Sequence, residues 1–348
     1  MSRLPPRSTT TRTTTRTAAA LGRRALLATS GTLAVISATL PTLAAAQGAP
    51  FPTRPIRFMV PFAAGGVSDI LGRVMAAKMS ELIGQPVIVE NRGGAGGTVG
   101  ADIVANANPD GYMILLSSLT TQAIAPHMLK KVPYNTQTAF TPIAGIALSP
   151  NILSIGANQP MKSLKDVIAF AKANPGKLSY GSSGLGSIGH LTGEILRSLT
   201  GVDMTHIPFK SAGVAYPDVL AGNITMVIDT LPSALQHIKS GTVRPVVMLS
   251  PRRTALLPDV PTISEAGFPE ATLNFWSGIF GPAGMPPAIV ARLNEVIVKS
   301  LAAPDVRERL ATLGADPWPV PAEELGARAR EDFARMAKVI KAAGLVPE

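Results

Sequence analysis

A short apolar run that ends in a cluster of small residues and passes into helical spacing recurs along this chain, and that order constrains the fold more than any other feature. Ile56 to Val60 reads as a strand, Phe62-Ala63-Ala64-Gly65-Gly66-Val67-Ser68 as a small-residue turn, and Leu71, Met75, Met79 and Leu82 fall on one face of a helix behind it. Ser68 is placed to cap that helix. The unit repeats as a strand over Val87 to Glu90, a glycine-rich loop over Asn91 to Gly97, a helix over Val99 to Ala107, a turn at Pro109-Asp110-Gly111 and a strand over Tyr112 to Ser117. Alternating β and α elements imply a parallel sheet with helices on its faces.

Short apolar runs between Phe140 and Ser154 read as a crossing into a second lobe, where the pattern restarts. Ser163 and Asp166 form a capping box, Pro175-Gly176 ends that helix, and Leu178-Ser179-Tyr180 runs into Gly181-Ser182-Ser183-Gly184-Leu185-Gly186-Ser187 before another helix. Strands follow at Met204 to Pro208, Thr225 to Ile228 and Val243 to Leu249, with helices at Ala212 to Ala221 and Pro232 to Ser240. Phe275 to Phe280 reads as a strand returning to the first lobe, and helices at Ala288 to Leu301, Asp305 to Leu313 and Ala322 to Ala343 brace it. The division expected is 1–46 as a presequence, 47–150 with 272–348 as lobe one, and 151–271 as lobe two.

The presequence has the layout of a secretory signal. Arg3, Arg7, Arg12, Arg16, Arg23 and Arg24 occur with no acidic residue, an uncharged run follows from Ala25, and small residues at Ala44 and Ala46 suit cleavage after Ala46. Arg23-Arg24 also fits a twin-arginine signal, so the export route stays open. Removing these six arginines lowers the formal net charge from +10 to +4, so the basicity belongs mainly to the presequence. Aromatic residues make up 5% of the chain and the mature part carries no Lys/Arg-rich run, so nucleic acid is not an expected partner. With no cysteine, disulfides and thiolate metal sites are excluded together.

The chemistry lies in the loops. At Phe62 to Asp69 and at Ser182 to Ser187, residues without bulky side chains stand where a strand ends and a helix begins. Backbone N–H groups and the positive helix end are then open to an anion. Asp69 sits at a helix start, where its charge favours the dipole. Asp229 ends an apolar strand, where a carboxylate is costly unless it meets a partner such as a ligand ammonium or a water. Gly184, Gly186 and Gly189 match G-x-G-x-x-G, but Asp203 falls short of the spacing of a ribose-binding acid, and no other cofactor pattern is present. The nucleophile-elbow, P-loop and zincin signatures are missing. His190 could touch a ligand, His206 reads as structural, His127 and His237 read as surface positions, and Trp276 and Phe275, where the chain returns between the lobes, read as core, with closure over a ligand as the alternative.

Taken together, Val60-Pro61-Phe62-Ala63-Ala64-Gly65-Gly66-Val67-Ser68-Asp69, Glu90-Asn91-Arg92-Gly93-Gly94-Ala95-Gly96-Gly97, Asn108-Pro109-Asp110-Gly111-Tyr112 and Leu257-Pro258-Asp259-Val260-Pro261-Thr262 resemble the Bug extracytoplasmic receptors of tripartite tricarboxylate transporters. The resemblance implies a type II periplasmic-binding-protein fold, α/β, with two lobes that are each a mostly parallel sheet flanked by helices. It also implies a ligand-binding set of Phe62, Ala63, Gly65, Gly66, Val67, Ser68, Asp69, Ser117, Ser118, Ser182, Ser183, Ser187 and Asp229, with no catalytic residue, metal or cofactor. A monomeric periplasmic receptor is expected, taking a dicarboxylate, tricarboxylate or acidic amino acid to membrane permease subunits. A sensor for a membrane signalling partner, or an exported hydrolase using Ser183 or Ser187 with His190, are the alternatives. Gly93, Phe209 and Ser211 depart from the family pattern, so the ligand's identity does not carry over.

Overall fold

The structure, a computed structural model, describes residues 51–347, so the secretory-signal reading of Met1 to Ala46 lies outside the described residues. In chain order the strands are β1 (Ile56–Val60), β2 (Val87–Asn91), β3 (Met113–Ser118), β4 (Phe140–Ser149), β5 (Asn151–Gly156), β6 (Leu178–Ser182), β7 (Met204–Pro208), β8 (Met226–Thr230), β9 (Val243–Met248), β10 (Phe275–Pro282) and β11 (Asp316–Pro317). They form a six-stranded sheet, β11-β4-β10-β3-β1-β2, and a five-stranded sheet, β7-β6-β8-β5-β9.

The expected α/β fold is present, with one difference: both sheets are mixed rather than mostly parallel. β1, β2 and β3 pair in parallel, as do β6, β7 and β8, and these are the strands joined by crossover helices. β10 runs antiparallel to β3 and β4, and β5 runs antiparallel to β8 and β9. The cause is connectivity, because β4 and β10 run between the sheets instead of closing a βαβ unit. Only Pro150 separates β4 from β5, and that residue carries the chain from one sheet to the other.

Local rules set most helix ends. Ser163 Oγ accepts the Asp166 N–H while the Asp166 carboxylate takes the Ser163 N–H, completing the capping box. The first helix instead starts one residue before the expected cap. It spans Val67–Ile83 with Gly66 as its N-cap, which puts Ser68 inside the first turn. The C-terminal helix Ala322–Ala342 lies on the six-stranded sheet, where the Trp276 indole N–H donates to Asp332 Oδ2 at 2.7 Å. Trp276 is fully buried and Asp332 nearly so, and Arg328 and Arg335 bond the same carboxylate from the helix surface. Among the described residues no helix is long and apolar enough to cross a membrane.

Candidate functional site

The glycine turn after β1 and the serine loop after β6 face each other across a narrow cavity. Phe62, Gly66, Val67 and Ser68 wall it from the first loop, with Thr120 beyond β3 and Phe275 at the start of β10. From the other sheet come Ser183, Ser187, Ile188 and Gly189, then Ser211, and then Ile228, Asp229 and Thr230 at the end of β8. Helices Val67–Ile83, Ile188–Thr200 and Leu231–Lys239 all begin at this cavity. Their positive dipole ends make it favourable for an anion without any arginine, although the Ile188 N–H already donates to Thr120 Oγ1, the His190 N–H to Ser187 Oγ and the Leu231 N–H to the Pro150 carbonyl.

Of the thirteen residues expected to bind ligand, Phe62, Gly66, Val67, Ser68, Ser183, Ser187 and Asp229 line the cavity. Ala63, Gly65, Asp69, Ser117, Ser118 and Ser182 do not. Asp69 is turned into its own lobe, accepting the Gly65 N–H at 3.1 Å, Asn91 Nδ2 at 3.1 Å and an Arg73 ion pair at 2.9 Å. Burial opposes its charge, yet these donors hold its carboxyl below the ordinary range. It fixes the shape of the glycine turn, since the same Asn91 amide also donates to the Phe62 carbonyl. Ala63 meets the other lobe through its backbone, donating to the Lys210 carbonyl at 3.1 Å. Ser117 accepts a bond from Gln122, and Ser118 is buried beside it in β3. Thr120, Ser211 and Thr230 join the wall from outside the expected set, and Phe275 takes the ligand-facing alternative rather than a purely core one. The hydroxyl run Ser117-Ser118-Leu119-Thr120-Thr121 after a strand was the one available signal for Thr120.

Ser182 is fully buried, and its Oγ lies 2.7 Å from His206 Nε2 and accepts from Ser187 Oγ at 3.2 Å. The His206 ring stacks on that of His190 at 4.1 Å, and burial, then the neighbouring His190, drive its pKa down to about 3. Ser187 caps the next helix by accepting the His190 N–H, and Ser183 accepts the Ala212 N–H at 3.1 Å. His190 Nδ1 accepts the Gly186 N–H, so that nitrogen is not aimed at either serine as a base. The glycine pattern has a packing reason: a Cβ at Gly189 would lie 2.5 Å from the Ile228 carbonyl oxygen. His237 is not a plain surface residue, because its ring stacks on Tyr216 at 3.9 Å.

Asp229 is 5% exposed, and its Oδ1 accepts the Thr230 N–H at 2.7 Å while Oδ2 accepts the Tyr216 hydroxyl at 3.1 Å. Burial outweighs those bonds and pushes its pKa up to about 6. A carboxyl whose pKa is raised in the fold makes the folded state bind the extra proton. Stability is therefore lost as pH rises from about 4 to about 6. The His206 shift has the opposite sign, since a depressed histidine loses stability as pH falls below its unfolded value. The Asp229 part is read by difference. Asp229→Asn is expected to stabilise the free protein near pH 7 by up to about 3 kcal/mol and to add nothing below about pH 4. Urea unfolding of both proteins at both pH values checks this, and an Asn variant no more stable than the parent near neutrality contradicts it.

Two α/β lobes meeting at a cavity walled by helix starts and hydroxyls define a solute-binding receptor of the periplasmic-binding-protein kind. Residues 71–345 match the tripartite tricarboxylate transporter family receptor (TctC). A Pseudomonas protein from the tcbD-tcbE intergenic region is 40% identical over 84% of this chain and 86% of its own length. Protein BugT of Bordetella pertussis is 35% identical over 84% of this chain and 90% of its own. The solved periplasmic binding protein BugD superposes with a TM-score of 0.83 at 34% identity, over 86% of this chain and 100% of that one. An R. palustris protein solved with adipate gives 0.82 at 34% identity over 86% and 100%. MatC from Rhodopseudomonas palustris, solved with malate, gives 0.80 at 33% over 83% and 100%. The chain belongs to the TctC family, that of the Bug receptors, and is a solute-binding receptor rather than an enzyme.

Proposed function

We propose that this receptor captures a small organic carboxylate outside the inner membrane and delivers it to the permease subunits of a tripartite transporter. The observation that carries the reading is the meeting of three helix starts at one cavity with no basic side chain in its wall among the described residues. A carboxylate is the group that such neutral donors hold best. The adipate- and malate-bound relatives support the ligand class. The arginine-rich presequence with small residues at Ala44 and Ala46 supports export to the periplasm with cleavage near Ala46. On this reading Phe62, Gly66, Val67, Ser68, Ser183, Ser187 and Asp229 touch the ligand from both sides, and Asp69 and Ser182 hold the loops in shape. Residues 47–150 with 272–348 and residues 151–271 act as the two lobes of a monomer, an assignment favoured by the single-residue crossing at Pro150.

The test is thermal unfolding against a panel of mono-, di- and tricarboxylates and amino acids. A ligand present at about 100 times its dissociation constant adds about 2.7 kcal/mol of stability. At least one carboxylate is expected to give that shift, and a panel without any shift contradicts the ligand class.

A further inference from the structure

The six-stranded sheet runs β11-β4-β10-β3-β1-β2 and the five-stranded sheet β7-β6-β8-β5-β9, so the crossing from β4 to β5 at Pro150 divides the boundary between them in two. On one side lie β1, β3, β6 and β8, and the loops at their ends wall the cavity. On the other side lie β11 and β9, where a second cleft encloses about 570 Å³. Leu148, Ser149 and Asp316 wall this cleft from the six-stranded lobe, and Ser250, Arg252 and Leu256 wall it from the five-stranded lobe. Phe275 stands between the two spaces and lines both. A rotation about the crossing that widens the cavity therefore narrows the cleft, because the two lie on opposite sides of the axis.

Arg252 and Asp316 line the cleft from opposite lobes, both exposed, and neither side chain has an ion-pair or hydrogen-bond partner among the described residues. Each is carried on held backbone. The Ser250 hydroxyl donates to the Arg252 carbonyl at 2.9 Å, and the neighbouring Arg253 is tied to Glu265 at 2.9 Å and to the Pro258 carbonyl at 2.8 Å. Asp316 lies in β11, in register with Leu148 of β4. Opposite charges on two supports, unpaired while the cavity is closed, are brought together when the walls of the cleft approach.

We propose that Arg252 and Asp316 form an ion pair in the open receptor, a strap that holds the lobes apart until the solute draws them closed. This rests on the receptor reading above and adds to it a pair that sets affinity without touching the ligand. An interaction made only in the open state lowers the apparent affinity by its own strength. The pair is exposed to solvent, which limits the factor to roughly 2- to 5-fold.

Titration calorimetry with the panel compound of largest thermal shift reads that factor. Arg252→Ala and Asp316→Ala are each expected to tighten binding by it, the double variant to tighten it no further than either single one, and the gain to vanish in about 1 M salt. A second test has a larger effect and needs no ligand. The chain contains no cysteine, so Arg252→Cys together with Asp316→Cys supplies its only thiols. A disulfide between them requires Cα atoms within about 7 Å, which the narrowed cleft provides. Under mild oxidation the free double-cysteine protein is expected to cross-link, a saturating panel compound to slow the cross-linking roughly tenfold, and the oxidised form to bind roughly 100-fold more weakly until it is reduced. Free protein that fails to cross-link, a cross-linked form that binds as tightly as the reduced one, or alanine variants that bind no more tightly than the parent overturns the strap and leaves the carboxylate reading standing. Cross-linking of the free protein without binding of any panel compound supports the strap and overturns that reading instead.

Discussion

Replacing Gly213 with alanine is expected to weaken ligand binding by roughly 100-fold or more, about 2.7 kcal/mol, and to cost the free protein about 1–3 kcal/mol through two stretched interlobe hydrogen bonds. A Cβ at Gly213 would lie 2.5 Å from the Gly65 carbonyl oxygen, 2.8 Å from the Gly65 carbonyl carbon and 3.2 Å from the Gly66 N. All three are backbone atoms of the facing loop, and Gly65 is held at φ +86°, so neither side yields without the lobes parting by about 1 Å. That displacement would stretch the Ala63 N–H to Lys210 carbonyl bond, now 3.1 Å, and the Ile188 N–H to Thr120 Oγ1 bond, now 3.3 Å. The cavity between these contacts encloses only about 20 Å³, close to the size of one water. A ligand therefore enters by separation of the lobes and is held by their closing, and a wedge at Gly213 removes the second step. Gly213 lies outside the left-handed region, so alanine there carries no backbone strain of its own. Titration calorimetry gives the affinity and thermal unfolding gives the stability, and an affinity within about threefold of the parent would falsify the closing role.

The second large effect is on stability. Asp332→Ala is expected to cost about 3 kcal/mol, because it strips the bond from a fully buried Trp276 indole N–H and leaves Arg328 and Arg335 without their shared carboxylate. The two arginines are partly exposed, so water compensates them, and most of the loss comes from the indole. The same change at a surface ion pair such as Arg292–Glu295 is expected to cost less than about 1 kcal/mol. Urea unfolding of the two variants compares them directly, and equal losses would mean that the Trp276–Asp332 contact does not anchor the C-terminal helix.

Local chemistry made much of this legible from residues alone. β1 and β7 have the ends that their apolar runs indicate, and Ser163 with Asp166 is the capping box that the spacing implies. The two small-residue loops do come together, because a strand–turn–helix unit places its turn at the same sheet edge each time. Strand direction was not legible: the periodicity of β4, β5 and β10 is that of any buried strand, and their antiparallel pairing follows from where the chain crosses between sheets. Asp69 and Ser182 sit in the expected loops, but partners distant in sequence, Asn91 and His206, turn them away from the cavity. Ser211 belongs to the wall only because the lobes meet, and that contact leaves no mark in local spacing. An acid ending an apolar strand, as Asp229 does, needs a reason that the sequence itself raises, and its position in the cavity wall supplies one. The expected gain in stability of Asp229→Asn would be the mark of a group kept for binding at the expense of the fold.

A crystal structure of the protein with the panel compound that gives the largest thermal shift tests the central claim most directly. The account predicts one ligand per chain between the lobes, with its carboxylate oxygens about 3 Å from donors at the start of helix Val67–Ile83 and at Ser183. A ligand seated elsewhere, or one that enters this cavity with its carboxylate pointing away from that helix start and from Ser183, would contradict it.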